Sequence, residues 1–295
     1  SSASCRSAAR ASTGIRNDTR SSGALGASRM IPGRHFAGLQ LQGGRPYQED
    51  DFGFLNDLKE TDPRPSHLLV VLADGMGGHS GGAHASALAV DTFLESYQGA
   101  QGSVTDRMVK SLNESNERIR VDADGNPQLT GMGCTFVAAG FLEDGLVWVS
   151  VGDSPFWRFR DGGIKQLNED HSMAPLLAQQ VTAGSLSPEE AARHPHRNAL
   201  RSALIGEPIP KLDLRESPVR LREGDKFLLA SDGLQTLSDQ EIAAILKEDA
   251  DALDLARKLL RAVEEKNRRG QDNTTAIVVT PFRNGGSTPI VEWTL

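Results

Sequence analysis

A strand-like run that breaks into glycines, LVVLADGMGGH at residues 69–79, constrains this chain more than any other stretch. The apolar residues before Asp74 are typical of a buried strand, and Gly75, Gly77 and Gly78 let the backbone turn sharply after it. A carboxylate at such a break lies beside accessible backbone carbonyl groups, and both supply the oxygen ligands of hard cations. The stretch alone is also compatible with an ordinary turn, because Asp-Gly after a strand is a common turn sequence.

Other acidic residues stand at the boundaries of apolar runs. They are Glu49 and Asp50 before FGF, Asp153 after LVWVSVG, Asp232 after KFLLAS and Asp272 before TTAIVV. Residues at strand ends can converge at one rim of a sheet structure, whose core the apolar runs would form. Because converging carboxylates repel one another unless cations lie among them, the pattern predicts a metal centre. Ligands that are all oxygen atoms favour Mg²⁺ or Mn²⁺ over zinc.

Six short motifs occur in order along the chain. They are Arg45 with Glu49 and Asp50, ADGMGGHSGG (73–82), GCT (133–135), VGDS (151–154), ASDGL (230–234) and DNTTAIVV (272–279). Together they resemble the metal-dependent protein phosphatases of the PPM family, type 2C, over roughly residues 36–281. The form ADGMGGH, with DHS at 170–172 and SPEEAARHPHRNALRSALIG at 187–206, resembles the bacterial branch.

The resemblance implies that acidic residues of this chain hold two Mn²⁺ or Mg²⁺ ions. In the family, the aspartate at the position of Asp74 bridges both ions, and the carbonyl group at the position of Gly75 is a further ligand. Asp232 and Asp272 match acids that complete the shell of one ion. A water shared by two cations loses a proton near neutral pH and can attack phosphorus in line, so no side-chain nucleophile is required.

The first motif is expected to serve the other ion and the substrate. Glu49 and Asp50 match family acids that hold the water ligands of that ion, and Arg45 matches the arginine that binds the phosphate. An arginine suits this task because its planar fork can donate to two phosphate oxygens. A solvated surface arginine is the alternative, and the neighbouring Glu-Asp pair favours the phosphate-binding interpretation.

Two features stay open where the chain departs from the family. Asp153 matches an acid that in bacterial relatives helps to hold a third metal, but it also fits an ordinary turn, and Pro155 replaces the arginine that usually follows VGDS. Met76 stands where animal-type members have a histidine that is a candidate general acid. The leaving-group proton then comes from metal-bound water, from another group or not at all; His79 is a candidate, although a histidine in a glycine-rich turn is more often structural or solvated.

Periodicity predicts alternating strands and helices. Strands are predicted at 36–41, 51–55, 68–73, 135–141, 146–151, 156–160, 226–230 and 275–280, and helices at 82–97, 104–121 and 253–263. The resemblance implies the α+β class: a four-layer αββα sandwich of two antiparallel β-sheets flanked by helices, with the acids at one edge.

Composition predicts one folded domain, at 31–282, between two tails. Residues 1–30 carry five arginines against one acid and no apolar periodicity, so we expect a disordered extension. It resembles an organellar transit peptide or, as we favour, non-native or upstream-translated sequence ahead of a start at Met30. Residues 283–295 are expected to form a flexible tail.

The polar segment 172–206 matches the position of the family's flap beside the active site, where substrate choice is thought to reside. A surface loop without a role is the alternative. Because oxygen ligands already account for the metals, His171, His194 and His196 are interpreted as structural or exposed.

The predicted function is metal-dependent hydrolysis of phosphoserine and phosphothreonine on proteins, the substrates of a Ser/Thr kinase, by a cytoplasmic monomer. A net charge of −7 without a basic stripe argues against nucleic acid, and no apolar run is long enough to cross a membrane. Cys5 and Cys134 provide neither a disulfide framework nor a phosphate-cradling nucleophile loop, which argues against a phosphotyrosine enzyme.

Two alternatives remain. A catalytically silent member could bind phosphoproteins as a regulator, but it would have no chemical need for Asp74, Asp232 and Asp272 together. A phosphatase for small phosphorylated metabolites would be favoured by a deep, closed pocket, and a protein phosphatase by an open, shallow site.

Overall fold

Two antiparallel β-sheets pack face to face and carry helices on their outer surfaces. The computed structural model describes residues 30–56, 68–77, 81–143 and 145–281. The strands are β1 (Phe36–Leu41), β2 (Asp50–Asn56), β3 (Leu68–Met76), β4 (Gly133–Cys134), β5 (Phe136–Leu142), β6 (Gly145–Val151), β7 (Phe156–Arg160), β8 (Gly163–Gln166), β9 (Asp213–Val219), β10 (Lys226–Ala230) and β11 (Thr274–Val279). The helices are α1 (Gly81–Gly99), α2 (Val104–Gly125), α3 (Ala174–Thr182), α4 (Pro188–Ala192), α5 (Asp239–Leu246) and α6 (Ala252–Glu265).

The strand order explains how distant parts of the chain meet. One sheet has the order β1-β11-β10-β7-β8. The other has the order β2-β3-β5-β6-β9, with the short β4 paired to β3. Neighbouring strands in both sheets are antiparallel. The first and last strands of the described domain, β1 and β11, therefore lie side by side.

Alternation along each strand divides the core into three apolar layers. In β3, Leu69 and Val71 pack against α1 and α2, while Val70 and Leu72 face the other sheet. The same alternation in β10 and β11 directs one set of side chains to α6 and the other to the space between the sheets. Because both faces of these strands are covered, their sequences are continuous apolar runs. The three layers are those of an αββα sandwich, which confirms the predicted fold class.

Local signals fix where two of the helices begin. Ser103 caps α2 and Ser238 caps α5, each in a reciprocal capping box with the acidic residue three positions later. Such a box satisfies backbone N–H groups that have no partner inside the helix. None of the helices in the described ranges is long and apolar enough to cross a membrane.

The predicted elements are largely confirmed, and six further elements were not predicted. Strands β1, β7 and β10 have the predicted bounds, and the other predicted strands and helices differ at their ends. The periodicity did not predict β4, β8, β9, α3, α4 or α5. Of these, β9 is a polar, largely exposed edge strand that contains Pro218, so it lacks the apolar pattern of a central strand. Most of the predicted N-terminal extension, the tail at 283–295, Cys5 and His79 lie outside the described residues.

Candidate active site

The predicted acids lie near one another, and both sheets contribute them. Asp50 opens β2 directly across from Asp74 in β3. Asp153 follows β6, Asp232 follows β10, and Asp272 precedes β11. Burial raises the pKa of Asp74 well above its usual range, and the charges of the other four aspartates raise it further. The structure thus brings all five carboxylates into one electrostatic neighbourhood.

Asp50 is 5% exposed and lies between the two sheets. Its Oδ2 accepts hydrogen bonds from Ser231 Oγ and Thr275 Oγ1, both at 2.7 Å. Its Oδ1 is buried without a hydrogen-bond partner in the described part of the chain. Burial raises the pKa of Asp50 to about 6, although the two hydroxyl groups lower it. A buried carboxylate oxygen without a donor is costly unless a cation or a water completes its environment.

Glu49 has a second oxygen of this kind. Its Oε1 is buried without a partner among the described residues and lies where a Cβ on Gly82 would come within 2.5 Å. Its carbonyl oxygen accepts from Gly75 N at 3.0 Å and from Ser86 Oγ at 2.6 Å. A Cβ on Gly75 would collide with the carbonyl oxygens of Gly82 and Glu49. Only glycine therefore fits at position 75, where these three backbone segments lie in close contact. Burial raises the pKa of Glu49, and Arg45 lowers it.

Arg45 and Asp272 form the exposed side of the site. Arg45 Nη2 lies 2.5 Å from Asp272 Oδ2, with 48% and 36% of the two side chains exposed. Hydrogen bonding to Asp272 raises the pKa of the guanidinium group. Arg45, which is predicted to bind phosphate, is therefore paired in this structure with Asp272, which is predicted to bind a metal ion. The two predicted roles depend on each other through this ion pair.

Asp232 and Asp153 complete the cluster. Asp232 starts a 3-10 turn, and burial followed by the charge of Asp272 raises its pKa. Burial raises the pKa of Asp153 to about 7, and the charges of Asp232 and Asp170 add to this. Asp153 therefore shares the electrostatic environment of the other predicted ligands.

The donor set fits a hard divalent cation. Among the described residues, no three Asp, Glu, His or Cys side chains are already arranged as a cage for an ion. Two buried carboxylate oxygens nevertheless lack donors, and the charges of neighbouring aspartates raise the pKa values of Asp50, Asp74 and Asp232. Bound cations would remove both penalties, because they compensate the negative charge and attract the carboxylates. All these ligands are oxygen atoms, as Mg²⁺ and Mn²⁺ prefer.

Sequence reasoning missed Asn273, which organises the loop before β2. Its Nδ2 donates to the carbonyl oxygens of Gln42 and Tyr47, and its Oδ1 accepts from Glu49 N, each at 2.9 Å. Asn273 is 4% exposed. Its position beside Asp272 in the last motif was the available signal. Through these bonds it fixes the segment that carries Arg45 and Glu49.

The segment 172–206 is attached to the strands of the site at both of its ends. His171 N donates to Gly152 O at 3.0 Å, and Gly152 N donates to His171 Nδ1 at 3.2 Å. Near the other end, Leu204 and Cys134 exchange two backbone hydrogen bonds of 2.9 and 3.0 Å. His171 is buried, as expected of a structural histidine, and burial lowers its pKa.

Comparisons with known proteins agree with this geometry. The protein phosphatase 2C family model matches residues 48–274. Serine/threonine protein phosphatase PstP of Mycobacterium tuberculosis is 33% identical over 247 residues, which are 82% of this chain but only 46% of PstP. The chain thus spans about half the length of that relative. Serine/threonine phosphatase stp of Listeria monocytogenes is 31% identical over 241 residues, 80% of this chain and 90% of that protein.

A solved structure supports the same relationship. The catalytic domain of PstP, in complex with two manganese ions, superposes with a TM-score of 0.66 at 30% identity. The match covers 83% of this chain and 96% of that domain. The family model covers most of the described domain, from the loop before β2 to the start of β11. This chain therefore belongs to the protein phosphatase 2C family.

Proposed function

We propose that this chain is a metal-dependent protein phosphatase that hydrolyses phosphoserine and phosphothreonine on proteins. The observation that carries the proposal is the convergence of five aspartates, four of which raise the pKa of the fifth, Asp74, beside buried oxygens of Glu49 and Asp50 that lack donors. Family membership and the manganese ions named for the PstP catalytic domain support it. When bound, two Mn²⁺ or Mg²⁺ ions would lower the pKa of a water between them for in-line attack and would neutralise phosphate oxygens.

The chain's own acids then divide into two groups. Asp74, Asp232 and Asp272, with the carbonyl group of Gly75, would hold the ions. Glu49 and Asp50 would hold water molecules in the shell of one ion, because each presents a buried oxygen without a protein donor. Ser231 and Thr275 keep the Asp50 carboxylate in place through its other oxygen.

Arg45 would bind and orient the phosphate group. Its guanidinium group is about half exposed, so it can reach a substrate at the rim, and its partner Asp272 is one of the proposed ligands. Once Asp272 compensates a cation instead, the fork of Arg45 is available for two phosphate oxygens. The proposal therefore includes an exchange of partners by Arg45 between Asp272 and the substrate.

Protein substrates fit the exposed rim better than a small metabolite. Arg45 and the neighbouring Tyr47, which is 55% exposed, lie on a loop open to solvent. An enclosed pocket would be expected to bury most of a small ligand. We further propose that its substrates are those of a Ser/Thr kinase, since the bacterial relatives are named serine/threonine phosphatases.

The test is hydrolysis of a phosphothreonine peptide as a function of Mn²⁺ concentration, with EDTA as the blank. Asp232→Asn should lower turnover by more than about 100-fold, because even the partners of metal ligands contribute about 10- to 100-fold. Asp124→Asn, a change of the same kind on the exposed surface of α2, should leave turnover unchanged.

Two results would overturn the proposal. A folded wild type that binds phosphopeptide without turnover at any Mn²⁺ concentration would indicate a regulator. Faster hydrolysis of free phosphoserine than of phosphopeptides would indicate a metabolite phosphatase.

A further inference from the structure

A buried threonine connects the two segments that carry Asp74 and Asp153. Thr135 precedes β5, which lies between β3 and β6 in the sheet. Its backbone N donates to Asp74 O at 2.9 Å, and its Oγ1 accepts from Asp74 N at 3.2 Å. Thr135 therefore contacts both backbone polar groups of Asp74, one through its main chain and one through its side chain.

The same hydroxyl group reaches the neighbour of Asp153. Thr135 Oγ1 lies 2.6 Å from Ser154 Oγ, and the two residues are 3% and 1% exposed. Because Thr135 Oγ1 accepts from Asp74 N, its own proton can be donated to Ser154 Oγ. The carbonyl group of Ser154 accepts from Asn168 Nδ2 at 2.9 Å, which fixes the far side of the turn.

The turn at Asp153 is also held by packing. Gly152 has φ +104°, a region that favours glycine, and a Cβ there would come within 2.7 Å of Thr135 Cβ and Cγ2. On its other side, Gly152 donates to the buried His171 Nδ1. The methyl group of Thr135 thus packs against Gly152, while its hydroxyl group bonds to Ser154.

We propose that Thr135 and Ser154 are positioning residues whose paired hydroxyl groups fix the spacing between the segments that carry Asp74 and Asp153. By doing so they set the affinity for a further cation bound at Asp153. The inference rests on the metal-dependent function proposed above and extends it to two residues that touch no substrate. Groups that orient metal ligands are worth about 10- to 100-fold in metal affinity or activity.

Substitutions can separate the hydroxyl group from the packing. Thr135→Val keeps the volume and the methyl contact with Gly152 but removes Oγ1. Thr135→Ser keeps the hydroxyl group and removes the methyl group, and Ser154→Ala removes the other hydroxyl group. Thr280→Val is a matched control, because Thr280 is also buried (4% exposed) and its hydroxyl group donates to carbonyl groups of the 34–35 segment, away from the site.

The experiment is a calorimetric Mn²⁺ titration of the full chain and its variants, with turnover of a phosphothreonine peptide measured against Mn²⁺ concentration. Thr135→Val and Ser154→Ala should each weaken the lowest-affinity Mn²⁺ site by about tenfold and raise the Mn²⁺ needed for half-maximal turnover similarly. Thr135→Ser should stay within about twofold of wild type, and the double variant should lose little more than either single variant, because the two groups act as a unit.

The outcomes separate this inference from the proposed function. Unchanged Mn²⁺ affinity in folded Thr135→Val and Ser154→Ala would overturn the positioning role even if turnover confirms the phosphatase. An equal loss in Thr135→Ser and Thr135→Val would assign the effect to packing and would also overturn it. Tenfold weaker binding in a protein that shows no turnover would support the positioning role and refute the phosphatase. Circular dichroism establishes folding, and Ser154→Ala carries the test if Thr135→Val does not fold.

Discussion

The two sheets contribute to one site in different ways. The six-stranded sheet supplies Asp50, Asp74 and Asp153, whose pKa values are raised first of all by burial. The five-stranded sheet supplies Asp232, whose pKa burial also raises, and Asp272, which is 36% exposed and paired with Arg45. The buried half of the site, which includes Asp232, is held by strand pairing and buried hydroxyl groups, and the exposed half, formed by Asp272 and Arg45, faces solvent. The proposed function, which needs bound cations and access for a protein substrate, would use both halves.

The buried half can be broken most completely at Asp74. Asp74→Asn should lower turnover by more than about 100-fold, since it removes the acid expected to contact both ions. In EDTA the same variant should melt at a higher temperature than wild type, because it removes a buried charge that other aspartates repel. Peptide hydrolysis and thermal unfolding measure the two effects. A lower melting temperature for Asp74→Asn than for wild type in EDTA would contradict the inferred repulsion between Asp74 and the other aspartates.

Crowding of the backbone in the buried half predicts the next effect. In Gly75→Ala the new methyl group meets the carbonyl oxygens of Gly82 and Glu49, so we expect a loss of about 1–3 kcal/mol in the free energy of unfolding. Gly163→Ala is the control, because a Cβ there meets nothing within 4 Å. Urea denaturation compares the variants. Equal urea midpoints for Gly75→Ala and Gly163→Ala would show that the backbone around Gly75 can move to accommodate a methyl group.

The exposed half should respond in substrate binding rather than in stability. Arg45→Ala should lower kcat/KM by about 10- to 100-fold, the value of charged hydrogen bonds to phosphate, and Arg45→Lys should recover only part of it. The melting temperature should hardly change, because an exposed ion pair contributes about 0–1 kcal/mol. Steady-state kinetics on a phosphopeptide measure kcat/KM for both variants. Full recovery of kcat/KM in Arg45→Lys would argue against bidentate binding of the phosphate by Arg45.

Asn273 sharpens the comparison because it supports the exposed half from a buried position. Asn273→Ala should raise KM less than Arg45→Ala does, and it should destabilise the fold by about 1–3 kcal/mol through lost buried hydrogen bonds. If Asn273 acts through Arg45, the double variant should have nearly the KM of Arg45→Ala alone. If the changes in KM of Asn273→Ala and Arg45→Ala add in the double variant, the loop positions Arg45 without help from the Asn273 side chain.

Much of the fold was readable because it depends on local patterns. The run before Asp74 is buried on both faces and therefore continuously apolar, and α6 repeats its apolar residues at helical spacing. The polar edge strand β9 was not predicted, because an edge strand needs no continuous or alternating apolar pattern. The acids of the site could be named from their places at strand ends and from the family resemblance, but their partners could not.

The sequence by itself determined the central strands, the acidic and glycine residues at their ends, and the resemblance to phosphatases. Those features follow from short-range rules: apolar burial, side-chain alternation and the steric freedom of glycine. Only the tertiary structure decided that Arg45 pairs with Asp272, 227 positions away, and that Asn273 holds the loop before β2, across as many as 231 positions. Hydrogen bonds and ion pairs of this kind depend on ångström-scale distances set by sheet packing, which residue order alone does not specify.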